Sequence, residues 1–189
     1  MLKKDIRQLY RQKRKTLSLP QKLKLDDLLL IQFQKLRLPF LSVVLSYHPI
    51  EENNEVDTFL ITDFLQFKNP GLQVAYPKID LVESTMQAIV CDEEEAFAPN
   101  RYNIHEPVKC DAIAAAEIDL VLVPLLSFDR RGNRVGYGKG YYDHYLEHCR
   151  ADTLKIGLSY FEPVDLIEDA GAHDIPLNFC ITPQEAYVF

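Results

Sequence analysis

Hydrophobic residues near the start of the chain recur at the spacing of helices. Leu2, Ile6, Leu9, Tyr10 and Leu17 are separated by about one or two helical turns, and basic residues fill many of the positions between them. This spacing predicts an amphipathic helix with a positively charged face.

Three further helices are predicted downstream. Residues 18–21 have the sequence of a capping box with proline in the first turn, so a second helix should begin there. Glu55 is expected to open a third helix, and residues 143–149 to form a fourth. The inward positions predicted for the second and third helices are Leu25, Leu28, Leu29, Phe33, Leu36, Val56, Phe59, Leu60 and Phe64.

Short apolar runs alternate with these helices and predict strands. They cover residues 41–47, 73–76 (closed by Pro77), 86–91, 118–124, 154–159 and 185–188, whereas residues 103–107 are expected to form an irregular loop. The run at 118–124 is continuously apolar, as in a strand buried on both faces. The pattern predicts an α/β fold of three layers, Rossmann-like, with a largely parallel sheet flanked by helices. The loops after Tyr47, Tyr76 and Pro124 should then share the rim where such sheets bind ligands.

Composition narrows the class of protein. The 189 residues carry a net charge of −7 and 47% hydrophobic residues, which fits one domain over residues 1–189 and disfavours a general nucleic-acid binder. No apolar run is long enough to cross a membrane, and the basic start has no signal-peptide core. The four cysteines form no CxxC motif and are expected to be reduced thiols, so a cytoplasmic location is expected.

Residues 128–143 carry the most informative motif. This segment contains Gly132, Gly136, Gly138 and Gly140 together with several cations, and it links a predicted strand to a predicted helix. Glycines expose backbone N–H groups, so such a loop before a helix is suited to binding phosphate, although a purely structural turn is the alternative. The loop is neither a Walker A motif nor a G-x-G-x-x-G motif.

The same segment, from Phe128-Asp129 through Gly132-Asn133-Arg134 to Tyr141-Tyr142-Asp143, closely resembles the signature of the 5-formyltetrahydrofolate cyclo-ligase family, also called 5,10-methenyltetrahydrofolate synthetase. Four other segments resemble that family in the same order along the chain. They are residues 3–7 (KKDIR), 54–58 (NEVDT), 103–107 (NIHEP) and 173–176 (HDIP).

Membership would imply an ATP-dependent ring closure that requires Mg²⁺. The formyl oxygen of 5-formyltetrahydrofolate attacks the γ-phosphate and forms a phosphorylated imidate. The folate N10 then adds to the activated carbon, and 5,10-methenyltetrahydrofolate, ADP and phosphate are released. The enzyme contributes positioning and charge stabilisation rather than a nucleophile. The expected partners are small molecules, namely ATP and a reduced folate with or without a polyglutamate tail, with no nucleic acid or membrane, and the protein is expected to be a monomer.

The resemblance also suggests roles for individual residues. Lys139 and Arg134 are the expected catalytic cations, and Asp143 and Asp174 the expected Mg²⁺ ligands. Tyr47, Glu55 and Tyr142 are expected to bind the folate. The expected ATP-binding residues are Lys3, Arg7, Arg134, Val135, Gly136, Tyr137, Gly138, Lys139, Gly140, Tyr141 and Tyr142.

Each role has an ordinary structural alternative. Lys139 would otherwise be a solvated loop lysine, and Lys3 and Arg7 would belong to a solvated basic helix. Glu55 and Asp143 would otherwise be helix N-terminal acids favoured by the helix dipole. Tyr137 departs from the family pattern, because some relatives carry a cation at its position.

Three competing functions remain open from the sequence. The run His144-Tyr145-Leu146-Glu147-His148 fits the H-x-x-E-H pattern of some zinc proteases, although few residues remain to supply a third ligand. The basic first helix would suit an RNA-binding module. A phosphosugar enzyme on a similar scaffold rests on analogy of fold alone.

Overall fold

The computed structural model describes residues 1–80, 82–83, 85–90, 97–99, 105–107 and 110–189. Four α-helices lie in these ranges: α1 (Lys3–Lys15), α2 (Leu19–Phe33), α3 (Thr58–Lys68) and α4 (Tyr141–Leu146). The first six strands are β1 (Val43–Leu45), β2 (Gln73–Asp80), β3 (Thr85–Val90), β4 (Phe97–Pro99), β5 (His105–Pro107) and β6 (Asp111–Ile113). The remaining strands are β7 (Leu120–Val123), β8 (Ser127–Phe128), β9 (Arg134–Val135), β10 (Leu154–Leu158), β11 (Phe179–Ile181) and β12 (Ala186–Val188).

Eight of these strands form one sheet in the order β12-β11-β10-β7-β1-β2-β3-β6. The five central strands, β11 to β2, are parallel, and antiparallel partners flank them on both sides. Strand β7 lies inside this parallel group, and all four of its residues are buried, as its apolar sequence predicts. The predicted α/β fold with a largely parallel sheet is confirmed.

Helices cover both faces of the sheet and one of its edges. Leu29 and Phe33 of α2 and Ile61 and Leu65 of α3 pack on one face. Tyr145 and Leu146 of α4 pack on the other. Helix α1 forms a third cluster, in which Ile6 and Tyr10 contact Leu126, Val135 and Ile167, so the helix lies over the β8–β9 hairpin.

The third helix begins later than the sequence predicts. The Asp57 side chain caps it by accepting a hydrogen bond from the Phe59 N–H at 3.0 Å, so Thr58 is its first residue and Glu55 precedes it. The later start changes the inward face: Ile61 and Leu65 are buried, and Phe59 is exposed. Helix α2, by contrast, begins as predicted, and the Gln21 Oε1 accepts from the Ser18 N–H at 2.9 Å.

Several strands also differ from the prediction. Strand β2 continues beyond Pro77, because its pairing with β1 ends at Ala75 and it then pairs with β3 alone. Residues 105–107 form β5 rather than an irregular loop, and β11 and the β8–β9 hairpin were not predicted. The fourth helix covers Tyr141–Leu146 rather than residues 143–149. The acidic run Glu93-Glu94-Glu95, whose sequence is typical of a solvated turn, lies outside the described residues, and so do residues 103–104 of the predicted irregular loop.

The structure also bears on the predicted state of the cysteines and on the expected absence of a membrane span. Cys149 and Cys180 are free thiols, whereas Cys110 is disulfide-bonded, so the expectation of reduced thiols throughout is wrong at that position. Within the described ranges, no helix has the length and apolarity needed to span a bilayer.

Candidate active site

A cleft of about 560 Å³ opens at the carboxyl edge of the parallel strands. The segments after β1 and β7 line it, together with the part of β2 that begins at Pro77. The segments after Tyr47 and Pro124 therefore share one rim, as predicted, but the residues after Tyr76 reach it as a continuation of β2 rather than as a loop. Fourteen of the predicted site residues line this cleft: Lys3, Arg7, Tyr47, Glu55, Arg134, Gly136, Tyr137, Gly138, Lys139, Gly140, Tyr141, Tyr142, Asp143 and Asp174.

Val135 is the predicted ATP-binding residue that does not line the cleft. Its side chain is buried against Ile6 and Tyr10 of α1, because strand β9 turns it towards the core. Its carbonyl accepts a hydrogen bond from the Leu126 N–H at 2.8 Å, which closes the base of the β8–β9 hairpin. In this structure, Val135 therefore anchors the start of the glycine loop to α1 and to Leu126.

The glycine loop starts from a rigid hairpin. The Asp129 carboxylate is fully buried and accepts hydrogen bonds from the N–H groups of Arg131 (2.9 Å), Asn133 (3.0 Å) and Ile167 (3.2 Å). These bonds satisfy backbone N–H groups of the turn that leads into Arg134. They also hold the hairpin against the loop between β10 and β11 (residues 159–178), called the late loop below. The glycines at 136, 138 and 140 follow directly, so the loop leaves a fixed support.

Helix α1 lies against the glycine loop. The Arg7 Nε donates to the Gly136 carbonyl at 3.0 Å. Gly138 has φ +91°, and a Cβ built there would lie 3.1 Å from the Arg7 Cζ. Only glycine allows both this backbone conformation and the close approach of the guanidinium.

Arg134 and Asp143 form an ion pair at the loop's far end. The Arg134 Nη2 donates to the Asp143 Oδ1 at 2.7 Å, and the same oxygen accepts from the Ile175 N–H at 3.0 Å. The other end of the guanidinium donates to the Ile175 carbonyl. Arg134 is nearly buried, so it acts on the cleft chiefly by holding Asp143 and the late loop in position.

Lys3 and Asp174 form a second ion pair at the same end. The Lys3 ammonium donates to the Asp174 Oδ2, and that oxygen also accepts from the Gly171 N–H at 2.6 Å. Partial burial opposes ionisation, but the Gly171 N–H and Lys3 outweigh it and hold the pKa of Asp174 below its ordinary value. Asp174 is therefore an ionised carboxylate at neutral pH.

The two predicted metal ligands are neighbours in the fold, since Asp143 bonds to the residue that follows Asp174. Within the described residues, no group of three or more His, Cys, Asp or Glu side chains is placed to hold a metal ion. Two carboxylates alone are a donor set that Mg²⁺ accepts when substrate phosphates and water complete its coordination. The site therefore fits a metal that arrives with a nucleotide, rather than one held by the protein alone.

Glu55 lies at the opposite end of the cleft and is nearly buried. Its Oε2 accepts from the Ile50 N–H at 2.9 Å, and its Oε1 accepts from the Tyr137 hydroxyl. The Arg14 Nη1 lies 4.0 Å from the same Oε1. Burial raises the pKa of Glu55, and the Tyr137 hydroxyl, the Ile50 N–H and Arg14 partly offset that effect.

Tyrosines complete the wall around this carboxylate. Tyr47 is buried at the end of β1, and burial followed by the nearby Glu55 raises its pKa well above the ordinary value. The Tyr142 hydroxyl is buried without a hydrogen-bond partner in the described part of the chain. Burial raises its pKa as well, so it is a neutral phenol available as a donor.

The sequence did not single out the apolar wall of the cleft. That wall consists of Ile50, Pro77, Ile79 and Pro124, and the polar residues His48, Glu52 and Asn53 also line the cleft. Ordinary apolar residues carry no motif, and only the sheet topology brings Pro77, Ile79 and Pro124 together. Arg14 was also missed, although its spacing of seven residues from Arg7 places both on one helix face.

The H-x-x-E-H run begins on α4, continues past its end and does not form a metal centre in the described structure. His144 and His148 stack edge to face at 5.0 Å, and the His148 Nδ1 lies 2.9 Å from the His144 carbonyl oxygen. His144 on α4 and Glu147, the residue after its last turn, are exposed. No metal-binding cluster exists there among the described side chains, which leaves the zinc-protease interpretation without support.

A largely parallel α/β sheet, with a glycine-rich loop and both cationic and apolar residues lining one cleft at its carboxyl edge, is an architecture typical of enzymes that act on small molecules. The model of the 5-formyltetrahydrofolate cyclo-ligase family matches residues 2–183, and the chain belongs to this family. That match favours an enzyme over the RNA-binding module and the phosphosugar enzyme.

Individual relatives agree with the family match. The chain is 31% identical to the 5-formyltetrahydrofolate cyclo-ligase of Mycoplasma pneumoniae, and the alignment covers 97% of this chain and 100% of the relative. A solved 5,10-methenyltetrahydrofolate synthetase from Aquifex aeolicus superposes with a TM-score of 0.79 at 26% identity, covering 100% of this chain and 93% of that one. The corresponding structure from Mycoplasma pneumoniae gives a TM-score of 0.75 at 27% identity, covering 96% and 98%.

Proposed function

We propose that this protein converts 5-formyltetrahydrofolate to 5,10-methenyltetrahydrofolate in a reaction that consumes ATP, requires Mg²⁺ and passes through a phosphorylated imidate. The observation that carries the proposal is the division of the cleft into two chemically different ends. One end has the glycine loop with Lys3, Arg7 and Lys139, and the other has the Glu55 carboxylate, in a cleft whose lining also includes the apolar residues Ile50, Pro77, Ile79 and Pro124. The first end suits phosphates, and the second suits a flat ring with an N–H-rich edge.

The residues of the nucleotide end have separate tasks in this proposal. The N–H groups of the glycine loop and the exposed Lys139 bind the transferring phosphoryl group and stabilise its charge. Arg7 supports the loop through the Gly136 carbonyl, and Arg134 keeps Asp143 in place. Lys139 and Arg134 are thus the proposed catalytic cations. Lys139 contacts the phosphoryl group, and Arg134 acts indirectly by positioning Asp143.

Asp143 and Asp174 are the proposed ligands of Mg²⁺. Both would hold the ion through carboxylate oxygens, and the chemistry that a bound Mg²⁺ would supply there is neutralisation of phosphate charge. Both carboxylates already accept hydrogen bonds from cations, Asp143 from Arg134 and Asp174 from Lys3. Either contact would have to loosen, or the carboxylate would have to use its second oxygen.

The folate end provides orientation rather than chemistry. The Glu55 carboxylate accepts hydrogen bonds from the pterin N–H groups, and Tyr47 and Tyr142 border the ring. Holding the formyl oxygen near the γ-phosphate and N10 near the formyl carbon makes both steps effectively intramolecular. We also propose that the protein is a cytoplasmic monomer with one domain, and that it binds neither nucleic acid nor membranes.

The test is a spectroscopic assay of the purified protein with 5-formyltetrahydrofolate, followed in the near ultraviolet where the methenyl product absorbs. We expect absorbance to rise only when both ATP and Mg²⁺ are present. A rise without ATP would contradict the phosphorylated intermediate. The absence of any rise, with calorimetry still showing ATP binding, would preserve the nucleotide site and reject the folate assignment.

Replacing Gly138 by alanine should weaken ATP binding about tenfold or more and destabilise the fold by about 1–3 kcal/mol, the cost of a non-glycine residue in a left-handed conformation. The added Cβ would force the Arg7 guanidinium away from the loop. Gly71 offers a matched control, because its φ is +84° and no atom lies within 4 Å of a Cβ there. Gly71→Ala should lose similar stability in thermal unfolding but keep the ATP affinity. Equal ATP affinities in the two variants would contradict the role of Arg7.

A further inference from the structure

Arg14 is a buried cation that the proposed reaction does not use. It lies on α1 with 3% of its surface exposed, whereas most of the other basic residues of this helix lie at the surface. Its Nη2 donates to the Leu125 carbonyl and its Nη1 to the Tyr137 hydroxyl at 3.2 Å. Its Nε has no hydrogen-bond partner in the described part of the chain. Burying a guanidinium with an unsatisfied donor is costly, so its charge requires a local reason.

The inner face of α1 carries three cations with three different partners. Lys3, Arg7 and Arg14 are spaced by four and seven residues, which places them on one face. Lys3 reaches the late loop through Asp174, and Arg7 reaches the glycine loop through Gly136. Arg14 alone of the three reaches the folate end of the cleft.

The contacts of Arg14 converge on Glu55. Its Nη1 lies 4.0 Å from the Glu55 Oε1, and the Tyr137 hydroxyl bridges them by accepting from the guanidinium and donating to the carboxylate. The Asn54 Nδ2 also donates to the Arg14 carbonyl at 2.8 Å, which ties the end of α1 to the segment that carries Glu55. The carboxylate is thus fixed from α1 and from the glycine loop together.

We propose that Arg14 is a positioning residue for the folate end: its buried guanidinium, acting across 4.0 Å and through the Tyr137 hydroxyl, keeps Glu55 ionised and correctly directed. This inference rests on the proposed function, in which Glu55 binds the pterin edge. Arg14 brings a positive charge from α1 to the point of the cleft where the Tyr137 hydroxyl meets Glu55.

The groups around Glu55 show why the charge of Arg14 affects the ionisation of this carboxylate. The ionisable side chains that face it are Arg14 from α1, Tyr47 from the end of β1, Tyr137 from the glycine loop and Tyr142 from α4. Burial raises the pKa of all three tyrosines, so they remain neutral at physiological pH. Arg14 is the charged group within ion-pair distance of Glu55 in the described residues.

The sign of the expected effect follows from these contacts. Burial raises the pKa of Glu55, and Arg14 is among the groups that lower it. Removing the guanidinium therefore raises this pKa further, and the carboxylate takes up its proton at a higher pH. Folate affinity should then be lost at a higher pH during acidification.

The test compares the binding of 5-formyltetrahydrofolate between about pH 5 and 8 in wild type and Arg14→Met, measured by calorimetry without ATP. We expect affinity at neutral pH to fall about tenfold and the pH midpoint of binding to rise by about one pH unit, the effect of removing a nearby opposite charge. Arg14→Lys should restore much of both. Lys15→Met removes an exposed cation from the same helix and should match wild type. Affinity for Mg-ATP should change much less than folate affinity in each of these variants, because the cations that line the nucleotide end, Lys3, Arg7 and Lys139, are unchanged.

A folded Arg14→Met protein with the wild-type pH midpoint would overturn the proposal. If that variant fails to fold, the pH midpoint of folate binding is measured in Arg14→Gln and Tyr137→Phe instead. Arg14→Gln keeps a donor for the Leu125 carbonyl but lacks the charge, and Tyr137→Phe lacks the bridging hydroxyl. Both should raise the midpoint, and unchanged midpoints would refute the role of Arg14.

Failure of the proposed function would be visible separately. A wild-type protein that binds no 5-formyltetrahydrofolate would overturn both the function and this inference. A wild-type protein that binds it, with a pH midpoint that Glu55→Gln abolishes and Arg14→Met leaves in place, would refute this inference and leave the function standing.

Discussion

Replacing Lys139 by alanine should lower kcat/KM for ATP by about 10²–10³-fold, the typical effect of removing one group that stabilises developing charge. Lys139 is exposed, lies between Gly138 and Gly140 and lines the cleft. Its ammonium can therefore follow the phosphoryl group, while its removal leaves no cavity in the core. The thermal unfolding temperature should stay within the error of wild type. The measurement is the initial rate of product absorbance over a range of ATP concentrations.

Two further variants make this prediction specific. Arg130 is an exposed cation in the turn of the preceding β8–β9 hairpin and does not line the cleft, so Arg130→Ala should retain nearly full activity. Lys139→Arg keeps the charge but replaces a point charge on a flexible stem with a planar fork, so it should recover only part of the rate. A Lys139→Ala enzyme with near wild-type kcat/KM for ATP would show that the loop assignment is wrong.

The elements predicted well from the sequence are those whose signal is local. The continuous apolar run that contains β7 and the capping box before α2 each specify their element without help from the rest of the chain. Strands β8, β9 and β11 have only two or three residues each, too few for a periodic pattern to develop. Strand β11 forms because β10 and β12 supply its partners, and β8 and β9 pair with each other across a turn held by the buried Asp129.

The residues of the candidate site also fall into those that a local sequence signal predicts and those that it does not. The glycine loop could be predicted because glycines and cations at that density are unusual in a turn that serves only to connect two elements. Ile50 and Pro77 could not, because an apolar residue in the sequence has the same appearance in a core and in a cleft wall. The start of α3 shows the cost of a wrong boundary: with Asp57 as the cap, Glu55 is a buried residue of the cleft rather than a helix-opening acid.

Replacing Glu55 by glutamine should weaken binding of 5-formyltetrahydrofolate by about 10–100-fold, since a hydrogen bond to a charged group contributes about 1.5–3 kcal/mol. Binding of Mg-ATP should change much less, because the amide oxygen can still accept from the Tyr137 hydroxyl of the glycine loop and the cations Lys3, Arg7 and Lys139 are unchanged. The substitution conserves shape, so the loss reports on the charge and the acceptor oxygens. Calorimetry with each ligand alone measures both affinities, and equal losses for the two ligands would contradict the assignment of Glu55 to the folate.

The stability of this variant needs a separate measurement, because Glu55 is the ion-pair partner of buried Arg14. Leaving a buried cation without its partner destabilises proteins by about 3–5 kcal/mol, although the amide oxygen can still accept from Tyr137 or Ile50 and reduce that cost. Denaturant unfolding gives the free energy, and binding is then compared at a temperature where both proteins are folded. Glu51→Gln is the matched control, since Glu51 is exposed in the adjacent turn and does not line the cleft.

The pH dependence of folate binding distinguishes a recognition carboxylate from a structural one. Burial raises the pKa of Glu55, so the wild-type carboxylate should take up its proton, and folate affinity should fall, at a higher pH than for an ordinary glutamate. A glutamine cannot titrate, so the Glu55→Gln protein should bind weakly at every pH and lack this midpoint. A purely structural Glu55 would leave the midpoint in place after substitution, because another group would then be responsible for it.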